Sequence, residues 1–378
     1  MKALITTYAR SPFHPARKGA LATTRPDTLA AQVVRGLMSR LDLDPALIED
    51  LILGCAYPEG PQGNNLARLV GFLAGLPQHV GGMTINRFCG SSMSAIHMAA
   101  AQIEAGMGEA FLCVGVESMT MVPQGGLHFD PSPELLETFP QAYISMGETA
   151  ENVAQRYHVS RADQDALAVR SHAKAAQARQ AGRLQGEIVP IITPEGLVVD
   201  SDGCIRPQTT LEALAGLKPA FRLDGVVTAG TSSPLTDGAV AVLVTSEDFA
   251  NRHRLSPLAR VRAFATIGCD PTEMGMGPVP ATRKALARAR LSMSDIDLVE
   301  INEAFSSQAL ACLRALELDE ARVNLDGGAL ALGHPLGATG ARITGKAASL
   351  LAREGSRYAL STQCIGGGQG IATVLESL

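Results

Sequence analysis

A chain of 378 residues with 46% apolar residues, 38 glycines and no tryptophan is long enough for two or three domains and a core that needs no covalent staples. A net charge of −5 without long basic runs argues against nucleic acid as the main partner, and no apolar run approaches the length of a membrane span. The seven cysteines (Cys55, Cys89, Cys113, Cys204, Cys269, Cys312 and Cys364) are odd in number and form no Cys-x-x-Cys pair, which speaks against a disulfide framework or a structural metal. The apolar run in Met1–Arg10 is too short for a signal peptide, so the chain reads as a cytoplasmic protein of a reducing compartment.

In chain order, Ala3 to Thr7 reads as a first strand, and Asp27 to Leu41 as a helix with Leu29, Val33, Leu37 and Leu41 at helical spacing. A buried strand at Leu51–Gly54, a helix from Asn65 to Ala74, a strand ending at Thr84-Ile85, a helix from Ser91 to about Ala105 and a strand at Ala110–Val114 follow. This alternation predicts an α/β protein with a parallel sheet covered on both faces. From Met119 to about Asp224 the pattern changes to Pro-rich loops and amphipathic helices, Glu148 to Tyr157 and Arg161 to Ala181. In the second of these, Ser160 and Asp163 stand at capping positions and Gly182 marks a stop. The excursion reads as an inserted, lid-like subdomain, and the α/β pattern returns at Gly225 with a buried strand, Asp237–Thr245.

The last third echoes the first. One ungapped offset of 247 positions (297 less 50) aligns Asp50–Leu53 with Asp297–Glu300, Gly90 with Gly337 and Glu117 with Cys364. Three strand–turn–helix places matched at one offset indicate an internal duplication. Each half then presents turns at the carboxyl ends of its strands, where open α/β sheets bind ligands, and two halves can share one cleft.

Four stretches carry chemistry. In Asn86-Arg87-Phe88-Cys89-Gly90-Ser91-Ser92, a cysteine sits in a small-residue turn ahead of a helix, whose free N–H groups and dipole are expected to lower its pKa and favour thiolate. A lone cysteine is more often a buried structural residue, and the remaining stretches decide the matter. Gly333-His334-Pro335-Leu336-Gly337 frames a histidine between glycines just before a helix, a position for a general base. In Cys364-Ile365-Gly366-Gly367-Gly368, a cysteine precedes glycines whose N–H groups can converge on an anion; without a following Lys-Ser/Thr this is no phosphate loop. Finally, Glu300-Ile301-Asn302-Glu303-Ala304-Phe305 places an amide between carboxylates, either as a helix-start cap or as the holder of a water or oxyanion.

Taken together and in this order, the four stretches resemble the thiolase family over nearly the whole chain. The resemblance implies the thiolase fold: duplicated βαβαβαββ halves in a five-layered α-β-α-β-α core with an inserted loop domain. Residues 1–118, completed by about 225–250, would form the N-terminal half, 119–224 the loop domain for coenzyme A, and 251–378 the C-terminal half. It implies an acetyl-CoA C-acyltransferase acting on CoA thioesters, with coenzyme A as substrate and no further cofactor or metal. The assembly would be a homodimer or homotetramer serving fatty acid β-oxidation and open to association with a β-oxidation complex.

By position, Cys89 would take the acyl group, His334 would activate it, and Cys364 would move the proton of the acetyl α-carbon. The N–H groups of Cys89 and Gly366 would form one oxyanion hole, and His334 with an Asn302-held water the other. Ser145–Asn152 resembles the family's segment beside the acyl–pantetheine tunnel, Leu217–Phe221 a coenzyme A-side segment, and Thr228–Ser233 the pantetheine loop. Substrate contacts are accordingly expected at Met146, Lys218, Phe221, Arg222, Ala229, Gly230, Ser233 and Phe305, with Lys218, Arg222 and Arg206 as the positive patch for phosphates. The chain departs from the family pattern at Ser145, where acetoacetyl-specific biosynthetic members often carry His; at Asp326, where many have Asn; and at Pro234, where many have Gly or Ala. Two rival readings are a decarboxylating ketoacyl synthase, which would use one Cys with two His, and a catalytically silent lipid carrier or scaffold.

Overall fold

The computed structural model describes residues 1–378. Its apolar runs assemble into a ten-stranded mixed sheet. The nine longer strands are β1 (Ala3–Arg10), β2 (Asp50–Gly54), β3 (Gly81–Ile85), β4 (Ala110–Ser118), β5 (Thr236–Ser246), β6 (Ala259–Gly268), β7 (Leu298–Ile301), β8 (Tyr358–Ile365) and β9 (Gln369–Glu376). They lie in the order β7-β8-β9-β6-β1-β5-β4-β2-β3. The helices of nine residues or more are α1 (Pro26–Met38), α2 (Leu66–Ala74), α3 (Ser91–Glu104), α4 (Met146–Arg156), α5 (Arg161–Gln180), α6 (Pro278–Ala289), α7 (Ser306–Ala315) and α8 (Leu336–Glu354).

The all-parallel sheet expected from the alternation is corrected here. β2 is parallel to β3 and β4, and β7 to β8, but β5 and β9 run antiparallel to both their neighbours. Apolar periodicity records burial and not direction. For β9 the cause is local: only Gly366–Gly368 separate it from β8, and a loop that short can only fold the chain back on itself. Gly367 and Gly368 hold φ of +77° and +80°, the left-handed region that favours glycine.

The offset of 247 holds in three dimensions, since β7, α8 and β8 take the places of β2, α3 and β4. One element is not copied. The counterpart of β3 is reduced to a single parallel bridge, Val299 to Val323. The half-sheets meet through a short antiparallel pairing of Leu4 and Ile5 with Arg260 and Ala259.

Three apolar clusters define the layers. α1 and α2 cover one half-sheet, α3 and α8 fill the space between the two, and α6 and α7 cover the other. The middle layer is tight because small residues line it. A Cβ at Gly340 of α8 would stand 2.5 Å from the backbone nitrogen of Met93, and one at Gly115 of β4 would stand 2.6 Å from Cα of Ala338. Larger residues would push the two helix starts apart, and those starts carry the cysteine and histidine turns.

Between β4 and β5, helices α4 and α5 pack on α7 through Val153, Leu167, Ala168 and Ala309–Ala311. Helix α5 begins with a capping box, Ser160 accepting from the Asp163 N–H at 3.1 Å and Asp163 accepting from the Ser160 N–H at 3.4 Å. A buried ionic network ties this segment to the core. Arg10 at the end of β1 donates two bonds to Asp202, at 2.7 and 2.8 Å, and one to Glu187, which also pairs with Lys346 of α8. No helix is long and apolar enough to cross a membrane.

Candidate active site

The first turn follows β3. Phe88 adopts φ +43°, unusual for a residue with a side chain, and a set of short bonds holds it there: its N–H donates to Asn86 Oδ1 at 2.7 Å and Ser91 Oγ donates to its carbonyl at 2.6 Å. This sets Cys89 just ahead of α3. Its sulfur lies against its own backbone N–H and that of Gly366, so residues 277 positions apart in sequence supply two donors to one point. The expected low-pKa thiolate is corrected. Burial pushes the Cys89 thiol up to about 11, and the two N–H groups offset only part of that. A helix terminus contributes on the order of 1 kcal/mol, less than the cost of removing a thiolate from water.

Cys364 is the last residue but one of β8 and is fully buried. Its thiol is pushed well above the usual range, first by burial and then by the facing Cys89 and by Cys312. Burial thus keeps this thiol protonated at rest, as it does Cys89. The Gln363 side chain donates to the Cys89 carbonyl, fastening the end of β8 to the first turn.

The His334 ring is held at both nitrogens. Thr339 Oγ donates to the Pro335 carbonyl at 3.0 Å, so its lone pair receives the proton of His334 Nδ1 at 2.6 Å. That leaves Nε2 unprotonated, and Asn302 Nδ2 donates to it at 3.3 Å. Burial, with Arg342 nearby, pushes the imidazolium pKa down to about 3, so the ring is neutral throughout the physiological range. An imidazole whose Nε2 lone pair is met only by the long bond from Asn302 can accept a thiol proton when that bond gives way.

Asn302 follows β7, beside β8, where Ile301 pairs with Thr362, and its Oδ1 is buried with no partner. The flanking carboxylates serve structure. Glu300 pairs with buried Arg342 at 3.1 Å and is pushed up to about 7 by burial, while Glu303 accepts from Ser171, Asn324 and the Leu330 N–H.

Several expected substrate contacts converge on the same place. Met146 and Phe305 share an apolar cluster with Cys364, and Phe221 stands edge-on to Phe305 with ring centroids 5.9 Å apart. Gly147 makes room for Phe221, whose ring would lie 2.0 Å from a Cβ there. The loop of Ala229, Gly230 and Ser233 runs along the second half, the Ser233 N–H donating to the Ala304 carbonyl at 3.0 Å. Lys218 and Arg206 are exposed, but the Arg222 guanidinium is turned onto α4, donating to Asn152 Oδ1 at 2.7 Å.

The three departures have local explanations or consequences. Ser145 caps α4, accepting from the Glu148 N–H at 3.3 Å. Asp326 is a buried carboxylate among Lys346, Arg353 and Arg183, at 2.7, 2.5 and 3.4 Å, so a charge suits the position better than an amide. The Pro234 carbonyl accepts from Thr236 Oγ at 2.6 Å, and that oxygen in turn accepts from the His334 N–H at 3.0 Å. Reasoning from sequence missed the roles of Thr339, Gln363 and Thr236. Thr339 lies one helical turn beyond Pro335, which was a usable signal, whereas Thr236 meets His334 across 98 positions.

Two facing cysteines with paired backbone donors, and a neutral histidine bonded to an amide, are groups suited to acyl transfer through a sulfur nucleophile. The family models "Thiolase, N-terminal domain" and "Thiolase, C-terminal domain" match residues 3–248 and 255–377, and the chain belongs to the thiolase family. It is 46% identical to a 3-ketoacyl-CoA thiolase of Bacillus subtilis (strain 168), covering 99% of both chains. It is 47% identical to a 3-oxoadipyl-CoA/3-oxo-5,6-dehydrosuberyl-CoA thiolase of Escherichia coli (strain K12), covering 95% of both. Among solved structures, human mitochondrial 3-ketoacyl-CoA thiolase in complex with CoA superposes with a TM-score of 0.92 at 38% identity, over 100% of this chain and 98% of that one.

Proposed function

We propose that this protein is a 3-ketoacyl-CoA thiolase, cleaving a 3-ketoacyl-CoA with coenzyme A to acetyl-CoA and a shortened acyl-CoA, or running the reverse Claisen condensation. The observations that support the reading are the facing pair Cys89 and Cys364 beside the Gly366 N–H and a neutral His334 held by Asn302, in a chain alike over its full length to proteins of that name.

In this reading His334 Nε2 takes the proton of Cys89 as the sulfur attacks the β-keto carbon, so the thiolate is formed only when it is used. This answers the raised pKa of the resting thiol. The new oxyanion sits at the N–H groups of Cys89 and Gly366, donors that need no rearrangement as charge develops. The Cα–Cβ bond then breaks, and the departing enolate is held by His334, now carrying the proton, with a water held by Asn302. The Cys364 thiol gives its proton to the α-carbon and acetyl-CoA leaves. In the second half, coenzyme A gives its thiol proton to the Cys364 thiolate and attacks the acyl group on Cys89. The released Cys89 thiolate recovers its proton from His334, and every group is back where it began. A decarboxylating synthase is disfavoured because Cys364 stands where that chemistry needs a second histidine.

Met146, Phe221, Phe305, Ala229, Gly230 and Ser233 would line the path of the acyl and pantetheine arms, with Lys218 and Arg222 toward the phosphates, Arg222 having first to leave Asn152. The chain would be a cytoplasmic homodimer or homotetramer of β-oxidation. The outer edge of β3 has no strand partner and α2 exposes Leu69, Phe72 and Leu73, features that suit association. The test is steady-state kcat/KM for CoA-dependent loss of 3-ketoacyl-CoA absorbance across chain lengths. Measurable turnover of at least one supports the reading, and none with any chain length sinks it.

A further inference from the structure

Glu117 ends β4 and stands in the first half where Cys364 stands in the second. Its carboxylate is fully buried. Oε2 accepts from the N–H groups of Ala56 at 2.8 Å and Gly337 at 2.9 Å, and Oε1 from the Tyr57 N–H at 3.2 Å and Gln62 Nε2 at 2.9 Å. Gln62 closes the arrangement by accepting from the Ser118 N–H at 2.6 Å. Burial pushes the Glu117 carboxyl above its ordinary range, and the four N–H donors, two on each oxygen, work against that by favouring the carboxylate. Gly337 lies three residues beyond His334, and a Cβ there would stand 2.9 Å from Oε2, so only glycine lets the carboxylate reach this N–H. A single side chain of the first half therefore grips both the loop after β2 and the histidine turn of the second half.

We infer that Glu117 is a positioning residue of the reaction: it fixes the His334–Gly337 turn against the loop after β2 and presents a negative charge to the Cys89 thiol. The inference rests on the thiolase reading above. The charge adds to burial in disfavouring a resting Cys89 thiolate, leaving deprotonation to His334. The ionisable groups facing the carboxylate are Cys55 and Tyr57 on the loop after β2 and Cys89 ahead of α3, and Cys364 faces Cys89 from β8. In Glu117→Gln the charge is gone and an NH2 group meets two N–H donors, so the histidine turn loses its anchor. Glu117→Asp keeps the charge on an arm one methylene too short to hold Gly337.

The experiment measures iodoacetamide alkylation of Cys89 against pH, with peptide mapping, and kcat and KM for acetoacetyl-CoA thiolysis, in the full-length wild type and both variants. For Glu117→Gln the alkylation profile moves to lower pH by about half a unit or more, while kcat falls about tenfold or more at a KM within about threefold. A purely structural role would lower the folded fraction and leave the profile of the folded enzyme where it was. An unmoved profile, or a kcat within about twofold of wild type, overturns the inference. Should Glu117→Gln not fold, Glu117→Asp decides: a reduced kcat at an unchanged KM supports the positioning role, and wild-type kcat overturns it. A wild-type enzyme without CoA-dependent thiolysis would instead sink the functional reading, while the alkylation profiles would still judge the charge.

Discussion

The two halves place different groups at equivalent points. Cys55 precedes Asn302, and Glu117 precedes Cys364, by the same 247 positions. In the first half the pair is closed on itself, with the Cys55 thiol 3.6 Å from Glu117 and the carboxylate saturated by N–H donors. In the second half Asn302 touches the bare nitrogen of His334 and keeps a buried oxygen without a partner, and Cys364 faces Cys89. Duplication supplies the geometry twice, but of these two pairs only the second leaves a polar atom unspent. A buried polar atom without a partner costs about 1–3 kcal/mol, so it persists where a ligand or water completes it.

That contrast can be broken or sharpened by substitution. The largest effect is expected for Cys89→Ala, which should remove acyl-enzyme formation and lower thiolysis by about 10⁴-fold or more, read from initial rates and intact mass. Cys364→Ala should lower thiolysis by at least about 10²-fold, the lower end for a positioned acid–base group. A third effect is on acid stability. His97, His172 and His334 are buried as neutral rings, with pKa pushed down to about 3, 4 and 3. The unfolded chain protonates each near 6.5 and the folded chain does not, so stability is full above that pH and is lost as pH falls below it. Glu300, protonating near 7 in the folded state, offsets one of the three. Chemical denaturation between pH 6 and 5 should therefore show a slope that His97→Gln reduces by about 1.4 kcal/mol per pH unit. The smallest effect is for Cys55→Ala, the mirror cysteine: kcat within about twofold of wild type and a stability loss of about 1 kcal/mol. A large loss of kcat there would show that the first-half pair is chemical after all.

Sequence carried most of the elements and the places of the four chemical stretches, because strand–turn–helix periodicity and glycine-framed turns are local. It carried the duplication through one fixed offset. It did not carry strand direction, since Asp237–Thr245 is an apolar run whichever way it points. It misjudged the Cys89 thiol because the helix dipole is readable from sequence while packing against Ala56, Met119 and Leu336 is not. Glu117 was visible only as the partner of Cys364, for its bond to Gly337 spans 220 positions. The bond of Arg222 to Asn152 was not legible either, since its partner is 70 positions away.

The division of labour between the two facing cysteines is tested most directly by intact-protein mass spectrometry after treatment with acetyl-CoA, followed by proteolysis to place the adduct. The account predicts one acetyl group on Cys89 in the Cys364→Ala protein and none in Cys89→Ala. A stable acetyl adduct on Cys364 in Cys89→Ala, or no adduct on Cys89 when only Cys364 is changed, would contradict it.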